Sequence, residues 1–185
     1  MKNLRLVIGM TALGLIGSSA SAAVVLKLDV SDLTNLSHAV IVGQVVDTRS
    51  QWNGKHEYIQ TFTRIRVEEV AKGRARSGQI ITVRELGGSV GDHNGALIGG
   101  ATHTPGERVL VFAQHAKDGT AGIFQTVALS EGKFLVSTDS QSGRRIAVPT
   151  AHDLFYADSK PTMFDKGPVD LDIVLNEVRR QAAGN

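Results

Sequence analysis

The sequence predicts a mainly β protein: an antiparallel oligomer-binding-like barrel or a small sandwich, with a short amino-terminal helix and a carboxy-terminal amphipathic helix. Three observations predict it. Six or seven short β-branched or alternating runs lie between Val40 and Val148, with turn signals between them. The gaps between most runs are too short for the crossover helix that a parallel sheet requires. Helical spacing of apolar residues falls instead at the two ends of the exported chain, so the helices flank the sheet rather than alternate with its strands.

Taken in order, Ser31 is the expected cap of a first helix, with Asp32 in its first turn and Leu33 and Leu36 on one face, ending near Ala39. Val40 to Val46 is β-branched and has the length of a buried strand. Asn53-Gly54 reads as a hairpin turn, because both residues tolerate positive φ. The partner strand runs from about His56 to Val70, and its alternation slips between Phe62 and Ile65, which suggests a bulge. Lys72 to Gly78 is a polar turn, and alternation resumes from Gln79 to Leu86. Further strands are expected at Arg108–Phe112, Gly122–Leu129, Lys133–Thr138 and Arg145–Val148, the last stopped by Pro149. His152, Leu154, Phe155 and Tyr156 read as one helical turn. Leu171, Val174, Leu175, Val178 and Ala182 form one apolar stripe, predicting a helix over about 169–182 that Pro168 helps to start.

Residues 1–22 read as a cleavable secretory signal peptide. Lys2 and Arg5 give a basic start, Leu6–Ile16 an apolar run about half as long as a membrane span, and Ala20-Ser21-Ala22 a small-x-small cleavage site. The expectation is a periplasmic or secreted protein, with residues 23–185 as one β-rich domain and no membrane span in the mature chain. Removal of Lys2 and Arg5 takes 20 Lys and Arg against 18 Asp and Glu to 18 against 18. No basic cluster remains to release counterions from phosphates, so no nucleic-acid partner is expected. The chain has no cysteine, so disulfides are excluded and its stability must come from its core.

Gly87 to Gly106 reads as a glycine-rich loop of about twenty residues, longer than connections usually are unless functional. Gly87-Gly88-Ser89-Val90-Gly91 matches the nucleophile-elbow pattern after a strand, which makes Ser89 a candidate nucleophile. The elbow must open a helix, however, and Asp92-His93-Asn94-Gly95 continues as turn chemistry. Asp92, His93 and His103 flank the same loop and are candidate binding residues, although polar loop residues ordinarily face water. His56-Glu57 begins a helical zinc motif that Gln60 breaks, and Gly132-Lys133 runs into Phe134 rather than a phosphate-loop Ser or Thr. No metal site and no cofactor is assigned. Trp52, the only tryptophan, is either a binding platform beside the Asn53-Gly54 turn or a cover for one end of the barrel.

Four segments carry a family resemblance: Ala39–Val46, Val70-Ala71-Lys72-Gly73, Ile80–Val83, and Pro105-Gly106-Glu107-Arg108 with Val109–Phe112. Over roughly Leu33 to Val136 they resemble uncharacterised exported bacterial proteins. In outline they also resemble the netrin-like modules that include the tissue inhibitors of metalloproteinases. The resemblance implies a five-stranded oligomer-binding barrel. It implies no inhibitory chemistry, since those inhibitors work through an amino-terminal Cys and Ala23 or a neighbour stands here.

The function expected is an exported, non-enzymatic binding module that contacts an extracytoplasmic protein or other ligand through the 87–106 loop. One alternative is a small serine- or metal-dependent hydrolase that uses the same loop, through Ser89 or through the His93 and His103 pair with Asp92 or Glu85. The other, resting on fold analogy alone, is a peptidase inhibitor.

Overall fold

The computed structural model describes residues 23–151, 154–157 and 160–184; the expected signal peptide and His152 lie outside the described residues. Strand makes up 46% of the protein and helix 15%, so the mainly β class holds. The elements are β1 (Ala23–Val25), α1 (Val30–Leu36), β2 (Ala39–Trp52), β3 (Ile59–Lys72), β4 (Ile80–Val90), β5 (His93–Ala96), β6 (Arg108–His115), β7 (Ile123–Thr126), β8 (Lys133–Thr138), β9 (Arg145–Pro149), β10 (Leu154–Tyr156), β11 (Val169–Asp170) and α2 (Leu171–Ala183), with a 3-10 turn at Leu129–Gly132.

Five strands join into a hydrogen-bonded ring. β2 pairs with β3, β3 with β4, β6 with β7 and β6 with β2, all antiparallel, and a short parallel pairing of β4 with β7 closes the circuit. From β6 the sheet continues outward through β8, β9 and β11, while β5 pairs with the far end of β4. β1 and β10 form a separate parallel pair. Antiparallel pairing predominates as expected, with β4–β7 and β1–β10 as the parallel exceptions.

Alternation along β2 and β6 serves two cores. Ile41 and Val45 of β2, Ile65 and Val67 of β3, Ile81 and Val83 of β4, and Val109, Val111 and Ala113 of β6 pack together inside the ring. Val40, Val42, Leu110 and Phe112 face the other way, onto Val30 and Leu33 of α1 and Leu171, Val174, Leu175 and Val178 of α2. Burial on both faces explains the unbroken apolar run at the start of β2. Each fully buried aliphatic chain of α2 contributes about 1.5–3 kcal/mol. Glu69 ties that helix to the sheet by accepting from Arg145 at 3.0 Å and Arg179 at 2.6 Å.

Several local expectations are corrected. The cap of α1 is Asp29, not Ser31: Asp29 accepts from Asp32 N and the Asp32 side chain answers from Asp29 N, a reciprocal capping box. Asn53-Gly54 does not form a two-residue turn; residues 53–58 make a longer loop, in which the Asn53 side chain accepts from Glu57 N at 2.7 Å. The slip between Phe62 and Ile65 does coincide with a bulge in the β2–β3 ladder, but the extra residue is in β2 and not in β3. The inward positions there are Thr61 and Thr63, Phe62 lies on the other face, and the irregularity opposite is an extra residue, Val46, in β2. Leu154 to Tyr156 is a strand rather than a helical turn.

The largest correction concerns the glycine-rich stretch. Residues 87–96 are not loop: β4 runs on to Val90, turns through Gly91 and Asp92, and returns as β5 with Ser89 opposite Asn94. The connection proper is 97–107. Gly88, at φ +119°, lets β4 bend here, and a Cβ on it would lie 2.2 Å from Thr61 Oγ1 and 2.3 Å from Ser50 Oγ.

Candidate functional site

β2 and β3 outrun the ring, because β6 covers β2 only as far as Gln44. The bulge at Val46 shifts the parity of β2, so Thr48 and Ser50 follow Ile41 and Val45 on the inward face. Opposite them stand Thr63 and Thr61, giving two cross-strand pairs of hydroxyls where the apolar interior ends. Glu85 of β4 lies across from Thr61. The β4–β5 hairpin and the 97–107 segment wall the other sides, leaving a cavity of about 440 Å³ that these side chains line together with Ser89, Asn94 and His103.

Its polar groups fall into two kinds. Some satisfy one another: Ser50 and Thr61 hydroxyls lie 2.8 Å apart, Thr61 Oγ1 donates to the Gly87 carbonyl at 2.7 Å, and Ser89 Oγ donates to Asn94 Oδ1 at 2.6 Å. Others have no partner. Thr63 Oγ1 and both His103 ring nitrogens are closed off from solvent without a hydrogen bond. A buried polar atom left in this state costs about 1–3 kcal/mol.

The two ionisable groups are driven in opposite senses from their usual values. Burial pushes the Glu85 carboxyl up to about 7, against hydrogen bonds from Thr126, whose backbone N–H donates at 2.9 Å. Burial pushes His103 down to about 4, assisted by the Lys133 charge and opposed by Glu107. At neutral pH the imidazole is therefore uncharged and the carboxyl near its midpoint. Behind His103, the buried Lys133 ammonium donates to the Glu107 carboxylate at 2.9 Å and to the Thr102 carbonyl. Lys133 thus serves this wall, although its sequence context gave only a failed phosphate-loop match.

No protein-family model and no curated protein matches the chain. The site therefore stands on its own geometry.

The residues singled out from sequence are divided by the hairpin. His103 and Ser89 line the inner cavity, whereas Trp52 and His93 lie on the other side, edge to face at 5.4 Å, with His56 stacked on Trp52 at 6.1 Å. There they border an outer groove of about 660 Å³ with Tyr58, Leu86 and Leu97. Asp92 is exposed at the hairpin tip and borders neither space. His93 and His103 are thus not brought to one site. No group of three His, Asp or Glu residues suited to a metal occurs among the described residues. Ser89 stands on an antiparallel strand with Asn94 as its hydroxyl partner, without the helix and base that an elbow nucleophile uses.

Thr61, Thr63 and Ser50 were missed by the sequence reading, as was the Lys133–Glu107 pair. One signal could have found the threonines: Ile59-x-Thr61-x-Thr63-x-Ile65 keeps strict alternation if hydroxyls are allowed at inward positions. Among the described residues, no helix is long and apolar enough to cross a membrane.

Proposed function

We propose that this chain is an exported, non-enzymatic binding module, with an oligomer-binding-type barrel as scaffold and the 440 Å³ cavity as its ligand site. One observation carries the reading: the cross-strand hydroxyl pairs Thr48–Thr63 and Ser50–Thr61 line one cavity with Glu85 and His103, where the apolar interior of the ring ends. The ring order β2-β3-β4-β7-β6, with a single parallel closure between β4 and β7, supports the barrel and the netrin-like outline. Barrels of that type take ligands on the faces of their second and third strands and the adjoining loops. Here those strands are β3 and β4, which supply Thr61, Thr63 and Glu85. The contact surface is accordingly the hairpin 87–96 together with 97–107, rather than one flexible loop. Scaffold analogy alone would not give a function, so the proposal is anchored on the side chains.

A fragment screen followed by amide and methyl NMR shifts tests the reading. Small polar fragments are expected to perturb Thr61, Thr63, Ala96 and Ala101 before any other group. Hits that cluster elsewhere, or a cavity unresponsive to the whole library, would refute it. Cell fractionation with amino-terminal sequencing tests export separately: the mature chain should begin at or next to Ala23.

A further inference from the structure

We propose that this cavity accepts a small ligand bearing an alkylammonium or alkylguanidinium group, with the Glu85 carboxylate as counter-ion. The proposal rests on the binding-module reading above and specifies the chemistry of its ligand.

Glu85 is an enclosed carboxyl without a cation of its own. Its hydrogen bonds come from Thr126 alone among the described residues, and no positively charged group acts on it. A buried carboxyl without a partner charge keeps its proton, and a cation brought beside it favours the ionised form. The nearby cations are committed elsewhere: Lys133 to Glu107 at 2.9 Å, and Arg84, on the opposite face of β4, to Asp118 at 2.8 Å. The groups that face Glu85 are Thr61 and Thr63 from β3, Thr126 from β7, and across the cavity His103, uncharged at neutral pH. Among the described residues no cation is paired with Glu85; the Lys133 charge that reaches His103 is itself paired with Glu107.

The remaining wall suits such a ligand. Thr48, Ser50 and Thr61 place hydroxyls on the lining for further polar contacts, and Leu86, Leu97 and Ala101 offer apolar surface to an alkyl stem. The volume, about 440 Å³, lies within the range of pockets that enclose small molecules. A neutral polyol would leave the carboxyl protonated below pH 7, and an anion would meet a carboxylate charge above it, so only a cation draws the proton off Glu85.

Binding has a proton signature. In the free protein Glu85 holds its proton up to about pH 7. A bound cation favours the carboxylate, so the proton leaves Glu85 for the buffer as the ligand enters. Affinity should rise close to tenfold per pH unit below pH 7 and level off above it.

The test is calorimetric titration at pH 6 in two buffers of different ionisation enthalpy, with NMR to locate binding. The probes are n-butylamine and n-butylguanidine, their neutral counterpart n-butanol, glucose, and Nα-acetyl-lysine methylamide. Expected are binding of the cationic probes in the cavity, release of nearly one proton per ligand, and at least a tenfold loss of affinity with no proton release in Glu85→Gln. Binding of the capped lysine alone assigns the cation to a peptide side chain; binding of butylamine as well assigns it to a free amine. The proton count on the unaltered protein does not depend on how the variant folds. Butanol or glucose binding in the cavity without proton release, and unchanged in Glu85→Gln, overturns the cation assignment while leaving the binding site standing. Cavity signals unmoved by the cationic probes overturn it as well, and only the wider fragment library then decides the parent reading.

Discussion

Replacing Glu85 or His103 should tilt the dependence of stability on pH in opposite directions. Folded Glu85 keeps its proton to about pH 7, whereas the unfolded chain releases it near 4.5. Between those values the folded state holds the extra proton, so this group lowers stability as pH rises. His103 behaves conversely: it is protonated near 6.5 when unfolded but only near 4 when folded. Between 4 and 6.5 the unfolded state holds the extra proton, and stability rises with pH. Each slope approaches about 1.4 kcal/mol per pH unit. In the shared window, 4.5 to 6.5, the two contributions cancel.

Urea unfolding at pH 4.5, 5.5 and 6.5 reads this directly. Glu85→Gln removes the falling contribution, so its stability should rise by about 2 kcal/mol across the window relative to the parent. His103→Gln removes the rising contribution and should fall by a similar amount. The double variant should return to the parent's slope, because neither residue acts on the other electrostatically. Three parallel curves would show that neither group is held away from its ordinary value, and the enclosed character of the cavity would be refuted with them.

Other substitutions probe the scaffold. Gly88→Ala combines a φ of +119° with a Cβ 2.2 Å from Thr61 Oγ1, and should cost about 2–4 kcal/mol in urea unfolding while disturbing hydroxyl-lined cavity signals first. Leu175→Ala opens a void in the core between α2 and the sheet, with an expected loss of about 2–5 kcal/mol and no change in the chemical shifts of the cavity residues. Asp29→Ala removes the capping box of α1 and should cost about 1 kcal/mol; Asp29→Asn, which keeps a capping oxygen, should recover most of it. Lys133→Met leaves Glu107 without its buried partner and removes the charge that assists burial in holding His103 down, so thermal stability should fall and the His103 titration followed by NMR should move upward.

The contrast between what could and could not be read from the chain follows from burial. Lys133–Thr138, Arg145–Val148 and the stripe from Leu171 to Val178 were legible because each presents one apolar face to a core, which periodicity detects. β2 was legible only to Val46, since the extra residue there reverses which parity points inward, and Thr48 and Ser50 beyond it carry no apolar signature. The same cause hid the hairpin 87–96. Its strands separate two spaces, the inner cavity and the outer groove, so neither face is an apolar core face, and glycine-rich composition imitated a loop. His103 was named from composition, but its neighbours Thr63 and Lys133 come from strands about 40 and 30 residues away along the sequence. A polar cavity at the end of a ring is assembled by register, and register depends on bulges that a hydrophobic pattern does not encode. The inward-facing threonines are therefore the least visible residues in the sequence, although they line the cavity where the apolar interior of the ring ends.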